Sequence, residues 1–292
     1  MKNIQIKWLY LVVLSVIWGT SFILIKKSLL GLNPYQLGAL RTIITGVFLF
    51  VAGFNSIKQL DKKQWKWVAI SGFLGSFFPA FLFAIAETEI DSAVASILNS
   101  LVPLNTILLG FAVFKIASTK RQVLGVIVGF VGTAILIFKG AELNPEQNYL
   151  YAGFVILSTI MYALNVNIIK SHLQHVKPLG IAAGNYVVII IPALLVLMVS
   201  GFFNAETFVN PHFKMSLVYV TILSFFGTAL AKVLFNKLIQ ISTPVFASSV
   251  TYLMPIVALT WGVLDGESFT VLQGFATIII LVGVYLSHKK QS

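Results

Sequence analysis

The feature that most limits what this chain can fold into is a regular succession of long stretches without charge. The segments 8–25, 67–86, 93–114, 122–138, 149–168, 179–200, 244–264 and 269–287 contain no Asp, Glu, Lys or Arg. Two more, 35–54 and 215–236, are of the same kind except for Arg41 and Lys232. A helix that crosses a bilayer needs about 20 mostly apolar residues. The pattern therefore predicts an all-α polytopic membrane protein with ten transmembrane helices. A transmembrane β-barrel is excluded, because its strands alternate apolar and polar residues. The composition agrees: 58% of residues are apolar and 10% charged, whereas about 25% are charged in ordinary soluble domains. Asn33-Pro34, Asn144-Pro145, Lys177-Pro178 and Asn210-Pro211 punctuate the runs as loop residues do. The ten helices and their short connectors account for the whole sequence. The first run, behind Lys2 and Lys7, lacks a small-residue cleavage site and is read as a span, not a signal peptide.

The net charge is +11, which in a soluble protein would suggest nucleic acid. Its placement points to topology instead. With a cytoplasmic N-terminus, fourteen Lys and Arg residues fall on inner segments and only Lys26, Lys27, Lys139 and Lys214 on outer ones. Such a bias sets orientation in a membrane. Eight of the nine acids lie on the outer side, Asp61 being the exception. Both termini are thus expected in the cytoplasm, in a cell inner (plasma) membrane, with the lipid bilayer as solvent and no nucleic-acid partner.

Displacing the chain on itself reveals a duplication. At an offset of 152, residues 95–103 lie over 247–255, bringing Pro103 onto Pro255, and Gly75 and Gly110 fall on Gly227 and Gly262. An offset of 151 carries Gln122 and Gly132 onto Gln273 and Gly283; near 144, Pro34 meets Pro178 and Arg41 meets Asn185. The halves are 1–145 and 146–292, each with five spans. Five is odd, so the second half enters the membrane inverted with respect to the first. Inverted repeats of this kind are a signature of secondary transporters, where two similar halves exchange inward- and outward-open arrangements.

Trp18-Gly19-Thr20-Ser21-Phe22 in the first span, Pro34 with Ala39-Leu40-Arg41 in the second, Pro103 and Pro255, and Gly266-Glu267 with Gln273 and Gly283 together resemble the drug/metabolite transporter superfamily, in its EamA-like ten-span branch. The resemblance covers essentially all of the chain. Where the second half has Gly266-Glu267, the first has Lys115-Ile116. The resemblance implies a basket of helices around a central cavity, lined mainly by spans one to four and six to nine, with five and ten at the periphery. It also implies export of amino acids, other metabolites or toxic compounds.

Ionisable groups inside spans are costly and default to a functional reading. Arg41 lies seven residues past Pro34, about 10 Å below the outer surface at 1.5 Å per residue. It either faces the cavity and attracts a carboxylate or phosphate, or braces the bundle on carbonyls. Lys232, five residues before Lys237, is read as snorkelling to the inner surface. Asparagines need partners in lipid, and Asn99, Asn165 and Asn185 are cavity candidates, with Asn105 and Asn167 less so. Trp18, Phe78, Tyr162 and Tyr252, with Ser21 beside Trp18, complete the candidate substrate-binding set. Pro103 and Pro255 are candidate hinges, since proline inside a helix kinks it. Gly125 and Gly129 form a GxxxG read as a packing contact within the chain; a homodimer stays open.

No nucleotide-binding loop occurs, and no cofactor is expected. The chain has no cysteine, and His172 and His175 stand without thiol or carboxylate company, so no metal site is expected. The acids lie near the span ends. Neutralising Glu87, Asp91, Asp265 or Glu267 is accordingly expected to leave any pH-driven flux intact. The sequence reads as a secondary transporter of small metabolites working by alternating access, foremost an exporter of amino acids or related compounds, and not an enzyme. Rival readings are an importer, a carrier of anionic sugar phosphates or nucleotide sugars, and, in another class, an intramembrane enzyme or assembly subunit.

Overall fold

Each uncharged run becomes helix, and the few polar residues between runs act as caps. A computed structural model describes residues 2–115, 120–143, 146–267 and 270–288; Asn144-Pro145, Ile116, Lys289 and Lys290 fall outside them. The protein is 84% helical, with no strand among the described residues. The principal helices are α1 (Lys2–Ser28), α2 (Pro34–Ile57), α3 (Lys62–Ala86), α4 (Ser92–Ala112), α5 (Lys120–Leu143), α6 (Tyr149–His172), α7 (Pro178–Val199), α8 (Phe213–Ile241), α9 (Pro244–Leu264) and α10 (Val271–His288). Asn33 and Asp61 cap α2 and α3 through reciprocal bonds with Gln36 and Gln64, which satisfies donors that the first turn leaves free. Thr243 caps α9, and Pro34, Pro178 and Pro244 occupy first helical positions, where proline's missing N–H costs nothing.

Among the described residues, α1 to α4 and α6 to α9 are the eight helices long and apolar enough to cross a membrane. Helices α5 and α10, which the sequence reading also counts as spans, carry shorter apolar stretches, Val123–Phe138 and Val271–Gly283. They pack on each other at glycine: a Cβ on Gly283 would lie 2.6 Å from the Gly125 carbonyl oxygen and fall on the Gly129 nitrogen. The GxxxG of α5 is thus occupied from within the chain, as expected. Helices α2 and α7 pair in the same manner, Gly53 against Ala183 and Gly46 against Ile190.

Four of the spans are interrupted within their length. α3 contains a π segment, Phe73–Phe77, and α8 another, Leu223–Leu230. α4 breaks between Asn99 and Val102, and α9 passes through a 3₁₀ turn at Ser249–Tyr252. Pro103 and Pro255 each follow such a break directly. A proline cannot donate to the carbonyl four residues earlier, here Asn99 and Thr251. Pro192 sits within α7, which remains one helix.

Candidate functional site

Eight helices leave a central cavity enclosing about 890 Å³ of empty space, its mouth included. Every helix from α1 to α4 and from α6 to α9 contributes to the wall, and neither α5 nor α10 does. Of the expected residues, Trp18, Ser21, Arg41, Asn99, Tyr162 and Asn165 line it together. The other three do not. Phe78 points to the outside of the bundle and is 43% exposed, while its neighbour Phe77 is buried. Asn185 braces α7 to α3, its amide donating to the Val68 carbonyl oxygen at 2.6 Å; Gly72 leaves it the room. Tyr252 lies in the 3₁₀ turn of α9, off the cavity wall. Asn105 and Asn167 also serve as braces, to Thr159 and to the Thr106 and Ala163 carbonyls.

The irregular segments explain the polar wall. Pro79 lacks the N–H that would bond the carbonyl of Gly75, four residues back. Lys232 supplies the donor instead: its Nζ lies 2.5 Å from the Gly75 oxygen. In α8 the π register takes the Ala231 N–H back to Phe226, passing over Gly227. The Gly227 oxygen accepts from Trp18 Nε1 at 2.9 Å. Single π turns are frequent at functional sites because they free such backbone groups. Gly75 leaves room for both side chains, since a Cβ there would fall on the Asn165 amide and lie 2.8 Å from Lys232 Nζ.

Lys232 is therefore corrected from a snorkelling surface residue to a cavity residue, 5% exposed. The signal was in the spacing. At about 100° per residue, five positions separate Lys232 from the exposed Lys237 by roughly 140°, so the two cannot share a face. Arg41 donates through Nε to Thr228 Oγ1 at 2.9 Å. Among the described residues neither Arg41 nor Lys232 has a carboxylate partner, and the wall contains no Asp or Glu. Asn99 contributes a buried Oδ1 with no hydrogen-bond donor among the described residues. Trp18, Phe83, Tyr162 and Phe235 supply the aromatic surface, Trp18 meeting Phe235 edge to face with centroids 4.8 Å apart.

Polar clusters tie the helices at both ends of the cavity. At one end Lys26 Nζ meets Glu267 Oε1 at 2.7 Å and Asp265 at 3.5 Å, and Lys27 pairs with Asp265. The Glu267 carboxylate also accepts from Ser92 Oγ at 2.7 Å and from the Ser92 and Ala93 amides, so it caps α4 where the helix dipole favours an anion. Glu87 is buried beside this cluster, at the end of α3. Burial, then the Glu267 charge, push its carboxyl well above the ordinary range, against the opposing pull of Arg41 and Lys26. Burial also raises Asp91, which accepts from Gln147 Nε2 at 2.5 Å. At the other end of α9, Lys170 Nζ donates to the carbonyls of Ser242 (2.7 Å), Ile239 and Gln240, and Gln240 to Val176 (2.6 Å). Sequence reasoning singled out neither Lys170 nor the capping role of Glu267.

A multi-helix membrane protein with a basic, aromatic, centrally placed cavity is the architecture of a solute carrier. The EamA-like transporter family model matches residues 5–138 and again 150–288, and the chain belongs to that family, within the drug/metabolite transporter superfamily. Its relatives include a transporter of Archaeoglobus fulgidus, 26% identical over 98% of this chain and 99% of the relative. The inner membrane transporter YedA of Escherichia coli is 24% identical over 95% and 91%. A probable amino-acid metabolite efflux pump of Salmonella typhimurium is 26% identical over 93% and 91%. A solved crystal structure shares the fold with a TM-score of 0.64 at 17% identity, over 98% of this chain and 97% of that one.

Proposed function

We propose that this transporter is a ten-span secondary carrier that exports amino acids or related carboxylate-bearing metabolites across the inner membrane by alternating access. The observation that carries the reading is the pair of cavity cations, Arg41 and Lys232, with no acid on the wall. A substrate carboxylate neutralises them, the Asn99 Oδ1 accepts from a substrate ammonium or hydroxyl, and the aromatic side chains hold its apolar part. The efflux pump among the relatives supports the amino-acid assignment. The relatives' names as transporters favour a carrier over an enzyme.

Two inverted halves, 1–145 and 146–292, carry the alternation, with both termini in the cytoplasm as the basic residues suggest. The wall supports this division, because it falls into pairs at the sequence offsets. At 144, Trp18, Ser21 and Phe22 correspond to Tyr162, Asn165 and Val166; at 152, Gly75, Ser76, Phe83, Asn99 and Val102 correspond to Gly227, Thr228, Phe235, Thr251 and Met254. In this orientation the Lys26–Glu267 cluster closes the outer end, and the helix breaks before Pro103 and Pro255 serve as matched hinges. Counterflow in proteoliposomes with a panel of labelled amino acids tests the reading. Accelerated exchange of at least one amino acid is expected. Exchange of sugar phosphates or nucleotide sugars alone would replace this cargo with the anionic one, which the same two cations also favour. No exchange of any solute, with conversion of a lipid, would overturn the carrier reading.

A further inference from the structure

We propose that Glu87 is a proton-binding site that couples closure of the outer latch to proton uptake from the outer face. The inference rests on the outer assignment of the Lys26–Glu267 end made above. Glu87 is 6% exposed, and neither of its carboxylate oxygens has a hydrogen-bond partner among the described residues. A buried carboxylate left so is costly, whereas the protonated acid is tolerated. Its backbone N–H closes the last turn of α3 on the Phe83 oxygen, which places the side chain at a helix C-terminus, where the dipole also opposes negative charge.

The charges around it give the coupling a direction. From α1 comes Lys26, already held by Glu267 and Asp265; from α2, Arg41, held by Thr228; from the connector after α9, Glu267 itself. Asp91 and Glu89 share the connector of Glu87, and Tyr162 of α6 stacks on Phe83 one turn earlier. In the latched state Glu267 occupies Lys26, so Glu87 has no cation of its own and keeps its proton. When the latch parts, water reaches Glu87, the proton leaves to that water, and Lys26 becomes available to the new carboxylate. Each opening then releases one proton and each closure takes one up. The closed state holds the higher affinity for the proton, so closure is favoured at low pH. Opening gains as pH rises from about 4.5, the ordinary glutamate value, through the raised value of the closed state, by up to about tenfold per pH unit for one proton. This reverses the sequence expectation for Glu87.

The chain has no cysteine, so a single Ser21→Cys in the cavity reports access. Its reaction with a membrane-impermeant maleimide added to the outer side of oriented proteoliposomes is measured across pH. Rates are divided by those of the exposed Asn204→Cys, to remove the thiol's own ionisation. The normalised rate is expected to rise severalfold per pH unit with Glu87 present and to stay flat in Glu87→Gln. An identical rise in Glu87→Gln would overturn the proposal and leave the carrier reading standing. Failure of Ser21→Cys to react from either side at any pH would overturn alternating access itself. Should Glu87→Gln fail to fold, infrared spectra of the wild type decide. A protonated carboxyl C=O band that shifts on glutamate ¹³C labelling is expected to persist to higher pH than that of a solvent-exposed glutamate, and its loss at the ordinary glutamate pH would refute the site.

Discussion

Replacing Gly75 by alanine tests the geometry at the centre of the cavity without any knowledge of the cargo. A Cβ at this position would land on the Asn165 side-chain amide and 2.8 Å from Lys232 Nζ, so both side chains must withdraw. Withdrawal breaks the Ser71–Asn165 hydrogen bond of 2.6 Å and the Lys232–Gly75 bond of 2.5 Å. A buried neutral hydrogen bond contributes about 1 kcal/mol net and one from a charged donor about 1.5–3 kcal/mol. Alanine regains about 0.5–1 kcal/mol of helix propensity over glycine. The balance is a loss of about 1.5–3.5 kcal/mol, or a Tm lowered by roughly 3–7 °C in detergent if each kcal/mol is worth about 2 °C in a chain of this size. Gly153→Ala is the control, because nothing lies within 4 Å of a Cβ built there; it should raise Tm slightly. On a Lys232→Met background, the cost of Gly75→Ala should shrink by the part due to the ammonium, as a double-mutant cycle reports. A Gly75→Ala protein as stable as Gly153→Ala would show that Lys232 and Asn165 do not crowd this glycine.

Arg41→Gln should weaken binding of carboxylate-bearing solutes by about 10- to 150-fold, the worth of a charge-assisted hydrogen bond, and leave esters or amides of the same solutes unaffected; isothermal titration or counterflow distinguishes the two. Trp18→Phe orphans the Gly227 carbonyl and should cost about 1–3 kcal/mol of stability, read from thermal unfolding. The raised carboxyl of Glu87 binds its proton more tightly in the folded protein than in the unfolded chain. Its contribution is therefore complete below the ordinary value of about 4.5 and is lost as pH rises through the folded value. Glu87→Gln should remove that slope, so the Tm difference between variant and wild type should widen with pH in favour of the variant; a constant difference would contradict it. Asp91, raised chiefly by burial, acts in the same sense and remains in both proteins.

The helices were legible because lipid imposes one rule on long uncharged runs, and the wall was legible in part because polar residues inside such runs are few. Trp18, Arg41, Asn99 and Asn165 stood out for that reason. Asn185 stood out equally and turned out to be a brace, since an asparagine satisfies a stray carbonyl as readily as it faces a cavity, and only the neighbour across the interface, Gly72, decides which. Phe78 was misplaced because aromatic character alone does not separate the exposed Phe78 from its buried neighbour Phe77. Lys232 was misplaced by depth: distance from the span end was weighed, and the angular position relative to Lys237 was not. Glu87 looked like a loop acid because it follows the last residue of α3, yet the folded chain buries it there.

The departure between the halves at Lys115-Ile116 and Gly266-Glu267 has a structural expression. Lys115 (φ 56°) and Gly266 (φ 85°) both adopt the left-handed conformation, so the backbone ends α4 and α9 alike even though a lysine is strained there and a glycine is not. What differs is the next residue. Glu267 reaches Lys26 and the start of α4, whereas Lys170, which lies 144 residues after Lys26, finds only backbone carbonyls among the described residues at the opposite end. A carboxylate–ammonium contact is screened by salt; a lysine held by buried carbonyls is screened less. If the halves are the moving parts, their exchange is then unequal by construction. Raising salt should act on the Glu267 end first, and Glu267→Gln should make the two ends more alike. Accessibility of Ser21→Cys from the two sides, compared in wild type and Glu267→Gln, measures that bias, and an unchanged ratio would mean that the glutamate serves only to cap α4.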